Sequence, residues 1–373
     1  GEPTFVSTQD RDAPEWNTDA LGPTKRGLAT DLVHKLRAEY GQGGFLHFGQ
    51  GKWYPGEQLP RWALNIYWRA DGQPCWQDPE LFADEHNPSH YTAADAKRFM
   101  STLTAHLGLP DDTVLPGHED TWYYLWRERR LPVNVDPFDA RLDDELERNR
   151  LRRVFCQGLE HEVGFVLPLQ PAPLSTAKGP GTTWQTGRWF VRDNRMFLMP
   201  GDSPMGWRLP LDSLPWAAPT DRVHLIEQDP FAQRAALAPT LTPVAFQPRT
   251  AAARAAKAAA AAAGTAASAA VTPGSAPAGK FQSDANVVRT ALCVEVRDPR
   301  RANGPEADAA ALKKGDVQGV LYVFMPPLED VQDYLNLVAA VEATASELKM
   351  RIVMEGYPPP RDSRLKLLQV TPD

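Results

Sequence analysis

The densest group of chemically capable residues lies at 49–62, Gly-Gln-Gly-Lys-Trp-Tyr-Pro-Gly-Glu-Gln-Leu-Pro-Arg-Trp. Glycine has no Cβ, so Gly49 and Gly51 let backbone approach a ligand closely. Lys52 and Arg61 can hold phosphate or carboxylate, and Glu57 can hold a metal. The same composition also suits an ordered loop whose aromatics cap a core. It is not a Walker A loop: Lys52 follows only Gly-Gln-Gly, and Trp53 stands where Ser or Thr is required.

A second segment, 200–216, reads Pro-Gly-Asp-Ser-Pro-Met-Gly-Trp-Arg-Leu-Pro-Leu-Asp-Ser-Leu-Pro-Trp. Asp202 and Ser203 fall in a tight turn and Arg208 opens the next extended stretch. Here a substrate can be met, or the side chains can simply cap their own backbone. A third set is acidic. Glu160 and Glu162 share a strand face, Glu295 shares one with Arg289, Cys293 and Arg297, and Glu355 ends a strand before Gly-Tyr-Pro-Pro-Pro-Arg. Carboxylates on adjacent strands can bind Mg²⁺, which takes oxygen ligands and keeps waters for a nucleotide's phosphates. They can equally form a solvated face. His86 and His90 are four apart, but Asn87-Pro88 prevents a regular helix between them. His47 and His161 alternate with apolar residues as structural histidines do.

Several elements must position these groups. Strands are expected at 3–8, 62–68 (with Trp62, Leu64, Ile66 and Trp68 on one side), 160–169, 184–191, 195–199, 287–297, 319–325 and 351–355. Asp71-Gly72 marks a turn, and Asp193-Asn194 a hairpin between 184–191 and 195–199. Helices are expected at 24–40, with a stripe of Leu28, Leu32, Leu36 and Tyr40, and at 92–107 and 139–156. A helix over 328–349 should bury Val331, Leu335, Val338, Val341, Ala345 and Leu348. Strand, long helix, strand with short joints implies a crossover onto one sheet. Residues 248–282 are rich in Ala, Pro and Gly. They divide the chain into 1–247, an insertion or linker at 248–282, and 283–373 as a continuation of the same domain.

The composition bounds the partners. The chain has 373 residues, 42% of them hydrophobic, and a net charge of −7, so it can bury a large core and lacks the basic face of a nucleic-acid binder. No apolar run reaches the roughly 20 residues of a membrane span. Cys75, Cys156 and Cys293 are too sparse for a disulfide framework, which suits a reducing, cytoplasmic setting. The opening Gly1 and the strand-like end at Val370-Thr-Pro-Asp373 read as cuts through a longer protein.

Several motifs, in order, resemble a known family. They are Glu2-Pro-Thr-Phe-Val, Trp16-Asn-Thr, Leu21-Gly-Pro-Thr-Lys-Arg26, Gly49-Gln-Gly-Lys-Trp-Tyr-Pro-Gly-Glu57, Leu131-Pro-Val-Asn-Val-Asp-Pro137, Gly164-Phe-Val-Leu-Pro-Leu169, Pro200-Gly-Asp-Ser-Pro-Met-Gly206, Arg289-Thr-Ala-Leu-Cys-Val-Glu295 and Glu355-Gly-Tyr-Pro-Pro-Pro360. Together they resemble the bacterial amidoligase domain found C-terminal to a transglutaminase-like domain in very large proteins. The resemblance implies an α+β fold, a mostly antiparallel sheet with helices packed on it, related to glutamine synthetase and glutamate–cysteine ligase. It implies an ATP-dependent carboxylate–amine ligase working through an acyl phosphate, with ATP and Mg²⁺ as cofactors. Its substrates would be a small-molecule or peptide carboxylate and an amine. On that reading Glu2, Glu57, Glu295 and Glu355 supply metal ligands, and Lys52, Arg61, Arg208 and Arg289 hold phosphate or carboxylate, with Gly49, Gly51 and Trp53 beside the nucleotide. The alternatives are a non-catalytic peptide-binding module and a carbohydrate or cell-wall binder, either one using Trp53, Tyr54, Trp62 and Trp207 as its contact surface.

Overall fold

The computed structural model describes residues 8–17, 22–51, 61–84, 87–119, 161–172, 184–189, 191, 195–200, 207–209, 214–218, 229, 233–239, 287–298 and 318–372. In chain order these form β1 (Phe45–Gln50), β2 (Trp62–Arg69), β3 (Leu115–Glu119), β4 (Glu162–Pro168), β5 (Gln170–Pro171), β6 (Trp184–Gln185), β7 (Met196–Pro200), β8 (Trp207–Arg208), β9 (Ala291–Arg297), β10 (Val320–Met325), β11 (Ile352–Gly356) and β12 (Leu365–Val370). The helices are α1 (Pro14–Asn17), α2 (Pro23–Tyr40), α3 (Ala93–His106) and α4 (Val331–Leu348). One sheet joins ten strands in the order β12-β2-β1-β11-β10-β9-β4-β3-β7-β8, and β5 and β6 form a separate pair. Neighbours are antiparallel except at β1–β11, β10–β11 and β3–β7. The expected mixed fold with a mostly antiparallel sheet is what forms.

Period-two alternation explains both faces of the sheet. Phe45, Tyr67, Phe165, Leu167, Leu292, Val294, Leu321, Val323, Ile352 and Met354 point toward α3 and α4 and make the main core. On the other face Phe48, Trp62, Leu64 and Ile66 meet Ala29 and Val33 of α2. α4 is the crossover between the parallel strands β10 and β11. It starts at Asp330, whose carboxylate accepts from the N–H groups of Gln332 (2.7 Å) and Asp333 (3.2 Å), satisfying donors the helix cannot. It stops at Lys349, which is left-handed with φ 54°. The expected apolar stripe understates α4: every residue from Tyr334 to Ala345 is buried. Buried Glu342 is accommodated because its Oε1 accepts from the backbone N–H groups of Gln77 (2.6 Å) and Asp78 (2.9 Å).

Two expectations are corrected. Three of the four residues in the stripe assigned to α2 face solvent, Leu28 47%, Leu32 37% and Tyr40 60% exposed, while Leu36 packs partly buried against the core beneath. The sheet beneath α2 presents bulky Trp62 and Ile66, so the small side chains Ala29 and Val33 face it instead. The Arg26 guanidinium lies 4.7 Å over the Phe48 ring and 5.3 Å over Trp62. The hairpin between 184–191 and 195–199 also does not form. β6 pairs with β5, while β7 lies between β3 and β8. Trp189, expected in a strand, is drawn into a side cluster with Val166 and Met196, and its indole N–H donates to the Val288 carbonyl at 2.8 Å. The expected strand at 3–8 falls almost wholly outside the described residues, as do the helix at 139–156 and the alanine-rich stretch.

These packing assignments separate two neighbouring residues of α2. Val33→Ala should cost about 1–2 kcal/mol by removing buried methyl groups, and Leu32→Ala no more than about 0.5 kcal/mol. Urea unfolding of the two variants measures the difference, and equal costs would reject the orientation of α2.

Candidate functional site

The parallel strands β10, β11 and β1 end side by side, and a cleft of about 1270 Å³ opens there. Ligand pockets typically run to roughly 300–1,000 Å³, so the space admits a nucleotide-sized molecule and more. Its floor includes Phe324, Gly356, Gly49, Gln50 and Gly51, and the start of β9 adds Arg289, Thr290, Ala291 and Cys293. Arg208 and Leu209 come from β8 and the residue after it. Gly356 is required at its own position: φ is +92°, and a Cβ would stand 2.7 Å from the Met325 nitrogen. That turn sends residues 357–363 across the cleft, where Tyr357, Pro358, Pro359, Pro360 and Arg361 form a wall. The Tyr334 hydroxyl of α4 fixes this wall by donating to the Tyr357 carbonyl at 3.0 Å. Behind it, burial pushes the Asp362 carboxyl up, but hydrogen bonds and charge from Arg364, with help from Arg234, hold it down at about 2.

Four of the residues selected from sequence, Gly49, Gly51, Arg208 and Arg289, meet in this cleft. Gly51 donates its N–H to the Arg61 carbonyl at 2.5 Å. This bond ties the end of β1 to the start of β2 beside the cleft, whereas the Arg61 side chain is not among the lining groups. Gly49 has a packing role: a Cβ there would come 2.6 Å from the Asn65 amide nitrogen and 3.3 Å from His47 Nδ1. Lys52, Trp53, Tyr54, Glu57 and Glu2 lie outside the described residues, as do Glu160, His86, Asp202 and Ser203. Trp62 is corrected as a contact platform, because it is buried under α2 and Arg26.

Glu295 and Glu355 do come together, but around a guanidinium. Arg297 donates to Glu295 Oε1, to Glu355 Oε1 at 2.8 Å and to Glu355 Oε2 at 2.5 Å. Its Cζ stacks 3.5 Å from the centre of the Tyr322 ring. Burial disfavours the arginine's charge, yet Glu355 and Glu295 outweigh it and raise its affinity for the proton. Both oxygens of Glu355 are thereby engaged, and among the described residues no group of three His, Cys, Asp or Glu side chains gathers to hold a metal. Glu295 and Glu355 as placed do not fit Mg²⁺: a divalent ion would have to displace Arg297. Cys293, two residues along the same face, is pushed up by burial and by Glu295 and Glu355. It is a neutral thiol and a poor nucleophile.

The arrangement also contains a row of three side chains that the sequence reading does not assemble. His47, Asn65 and Gln369 sit in register on β1, β2 and β12. The Gln369 amide donates to Asn65 Oδ1 at 2.9 Å, and Asn65 Nδ2 faces His47 Nδ1 at 3.5 Å. His47 is 1% exposed. Burial lowers its pKa to about 4, opposed in part by the nearby backbone of Tyr357 and Glu355. The period-two pattern in 45–50 carries this signal, since it puts His47 on the face of Phe45 and Gly49.

A family model described as "Putative amidoligase enzyme (DUF2126)" matches residues 1–373. The chain belongs to that family. No curated protein and no solved structure matches it. No helix among the described residues is long and apolar enough to cross a membrane.

Two outcomes test the site's electrostatics. Arg297→Gln strands two buried carboxylates and should cost about 3–5 kcal/mol in chemical unfolding. Arg297→Lys should restore only part of this, because ammonium cannot bridge both carboxylates in the plane of a guanidinium. For His47, the unfolded chain takes up a proton near pH 6.5 and the folded chain only near 4. Its contribution is therefore complete above pH 6.5 and is lost as pH falls toward 4, by about 3 kcal/mol in all. In His47→Gln the stability–pH curve should flatten over that window; an unchanged curve would mean that His47 is not held neutral.

Proposed function

We propose that this amidoligase-family chain is an ATP-dependent carboxylate–amine ligase. The observation that carries the reading is the meeting of Arg208, Arg289, Gly49 and Gly51, from distant parts of the sequence, in one cleft of nucleotide size. Arginines there suit the planar oxygens of phosphate and carboxylate. ATP would supply the phosphoryl group that converts the substrate carboxylate into an acyl phosphate. The amine nitrogen then forms the C–N bond, phosphate leaves with the C–O bonding pair, and the amine gives up a proton. Arg208 and Arg289 would stabilise the charge on the transferred and departing groups, an effect strongest where water is excluded.

Lys52, reached directly from Gly51, is proposed as a further cation for the phosphates, with Arg61 and Trp53 nearby in sequence. Mg²⁺ is proposed as the nucleotide's counter-ion. Glu2 and Glu57 are the carboxylates left to meet it, since Glu295 and Glu355 serve Arg297. The glutamine-synthetase-like relationship, attachment to a transglutaminase-like domain and a cytoplasmic setting belong to the same proposal. A peptide-binding reading draws support from the apolar wall of Tyr357 and Pro358 to Pro360, and it fits within the ligase reading if the substrate is a peptide.

Thermal unfolding in Mg·ATP tests the proposal. At about 100 times its dissociation constant a native-state ligand adds about 2.7 kcal/mol, which for a chain of this size is a rise in Tm of about 3 °C or more. Arg289→Ala should lose most of that rise. A wild-type Tm indifferent to Mg·ATP would reject the nucleotide and the ligase mechanism with it.

A further inference from the structure

The cleft wall presents one aromatic ring to solvent on a fixed mount. Tyr357 is 46% exposed and lines the cleft, whereas Phe324 and Tyr67, which also line it, are half-buried and buried. Three contacts make the mount. The Tyr357 N–H donates to the Met325 carbonyl at 3.0 Å, its carbonyl accepts from the Tyr334 hydroxyl at 3.0 Å, and its ring meets the Phe324 ring at 87° with centroids 6.3 Å apart. Glycine at 356 is what lets Phe324 come so near: a Cβ there would stand 2.7 Å from Phe324 Cδ1. A perpendicular contact takes up an edge or one face of a ring, so at least one face of Tyr357 stays clear of Phe324. A ring held in this way meets a flat partner without first being immobilised, so little ordering entropy is lost on binding.

The surroundings narrow what the ring can take. Pro358, Pro359 and Pro360, next along the wall, have no N–H to donate. They are poorly suited to pairing with a peptide main chain, whereas stacking needs only a π-face. Tyr357 follows the end of β11 and Arg289 precedes β9, and these two strands flank β10. Two strand spacings make about 10 Å. On the other side of β11, β1 brings Gly49 and Gly51 to the cleft. A nucleotide joins a flat ring to a chain of anions through its ribose, and so suits a platform and a guanidinium set apart in this way.

We propose that Tyr357 is the stacking platform for the base of the nucleotide, with the phosphates extending from it toward Arg289. The inference rests on the ligase reading and adds the residue that distinguishes a nucleoside triphosphate from bare polyphosphate. The ring face carries the effect, and the hydroxyl has no part in it.

Calorimetric titration with Mg·ATP and with Mg·tripolyphosphate, which has the phosphates without base or ribose, tests this. Tyr357→Ala should weaken Mg·ATP about ten- to a hundredfold, the loss of one base stack, and leave tripolyphosphate as in the wild type. Tyr357→Phe should bind Mg·ATP as the wild type does; a loss as large as that of the alanine variant would assign the effect to the hydroxyl and overturn the inference. Equal Mg·ATP affinity in wild type and Tyr357→Ala would overturn it too, leave the ligase reading standing and return the ring to the peptide reading. So would an equal loss for both ligands, because the ring would then serve only the shape of the wall. Should Tyr357→Ala fail to fold, Tyr357→Leu keeps an apolar side chain, removes the π-face and carries the same expectation. A wild type that binds neither ligand would reject the ligase reading and this inference with it.

Discussion

Burial of α4 on every side from Tyr334 to Ala345 is the constraint on which the rest of the molecule depends. A helix hidden on all sides from Tyr334 to Ala345 must be enclosed by the sheet, α3 and the segment at Gln77 and Asp78. Its connections force β10 and β11 to lie parallel, and β1 then adds in the same direction. Three strand ends meet at one edge as a result. In sheets of this kind, ligands gather outside the carboxyl ends of parallel strands. Here even the cleft wall is held from the core, through the Tyr334 hydroxyl on the Tyr357 carbonyl.

Charge is handled in two ways around that edge. Arg297 is neutralised by two carboxylates and stacked on Tyr322, which keeps a guanidinium inside the sheet face without exposing it to a competing ligand. Arg208 and Arg289 instead line the open cleft. The first arrangement is structural, since buried pairs of this type contribute little net stability but are costly to break. The second is suited to anions arriving from solvent. His47 adds a third environment in which burial suppresses charge altogether.

Much of this was legible in the sequence where patterns were local. The alternation of Trp62, Leu64, Ile66 and Trp68, the face shared by Arg289, Cys293, Glu295 and Arg297, and the crossover around α4 follow from period and punctuation. Partners across strands were not legible. Arg297 stood two residues from Glu295 in the sequence, but its bond to Glu355 depends on β9 and β11 flanking β10. The α2 stripe misled because Leu28 and Leu32 share a face with Tyr40, while the face that docks is chosen by the bulk of Trp62 beneath it. The row that holds His47 was not legible either, because Asn65 comes from 18 positions away and Gln369, which bonds Asn65, from 304 positions beyond that.

The strand order also interlaces early and late parts of the chain. β1 and β2 are clasped between β11 and β12, and β9 is wedged between β4 and β10. Contacts so distant in sequence close large loops before they repay the entropy of closure, a topology associated with slow folding. Neither half has a finished edge where the other joins it, so a scission between residues 248 and 282 would leave two pieces gripped by the shared sheet, each exposing a bare strand once parted.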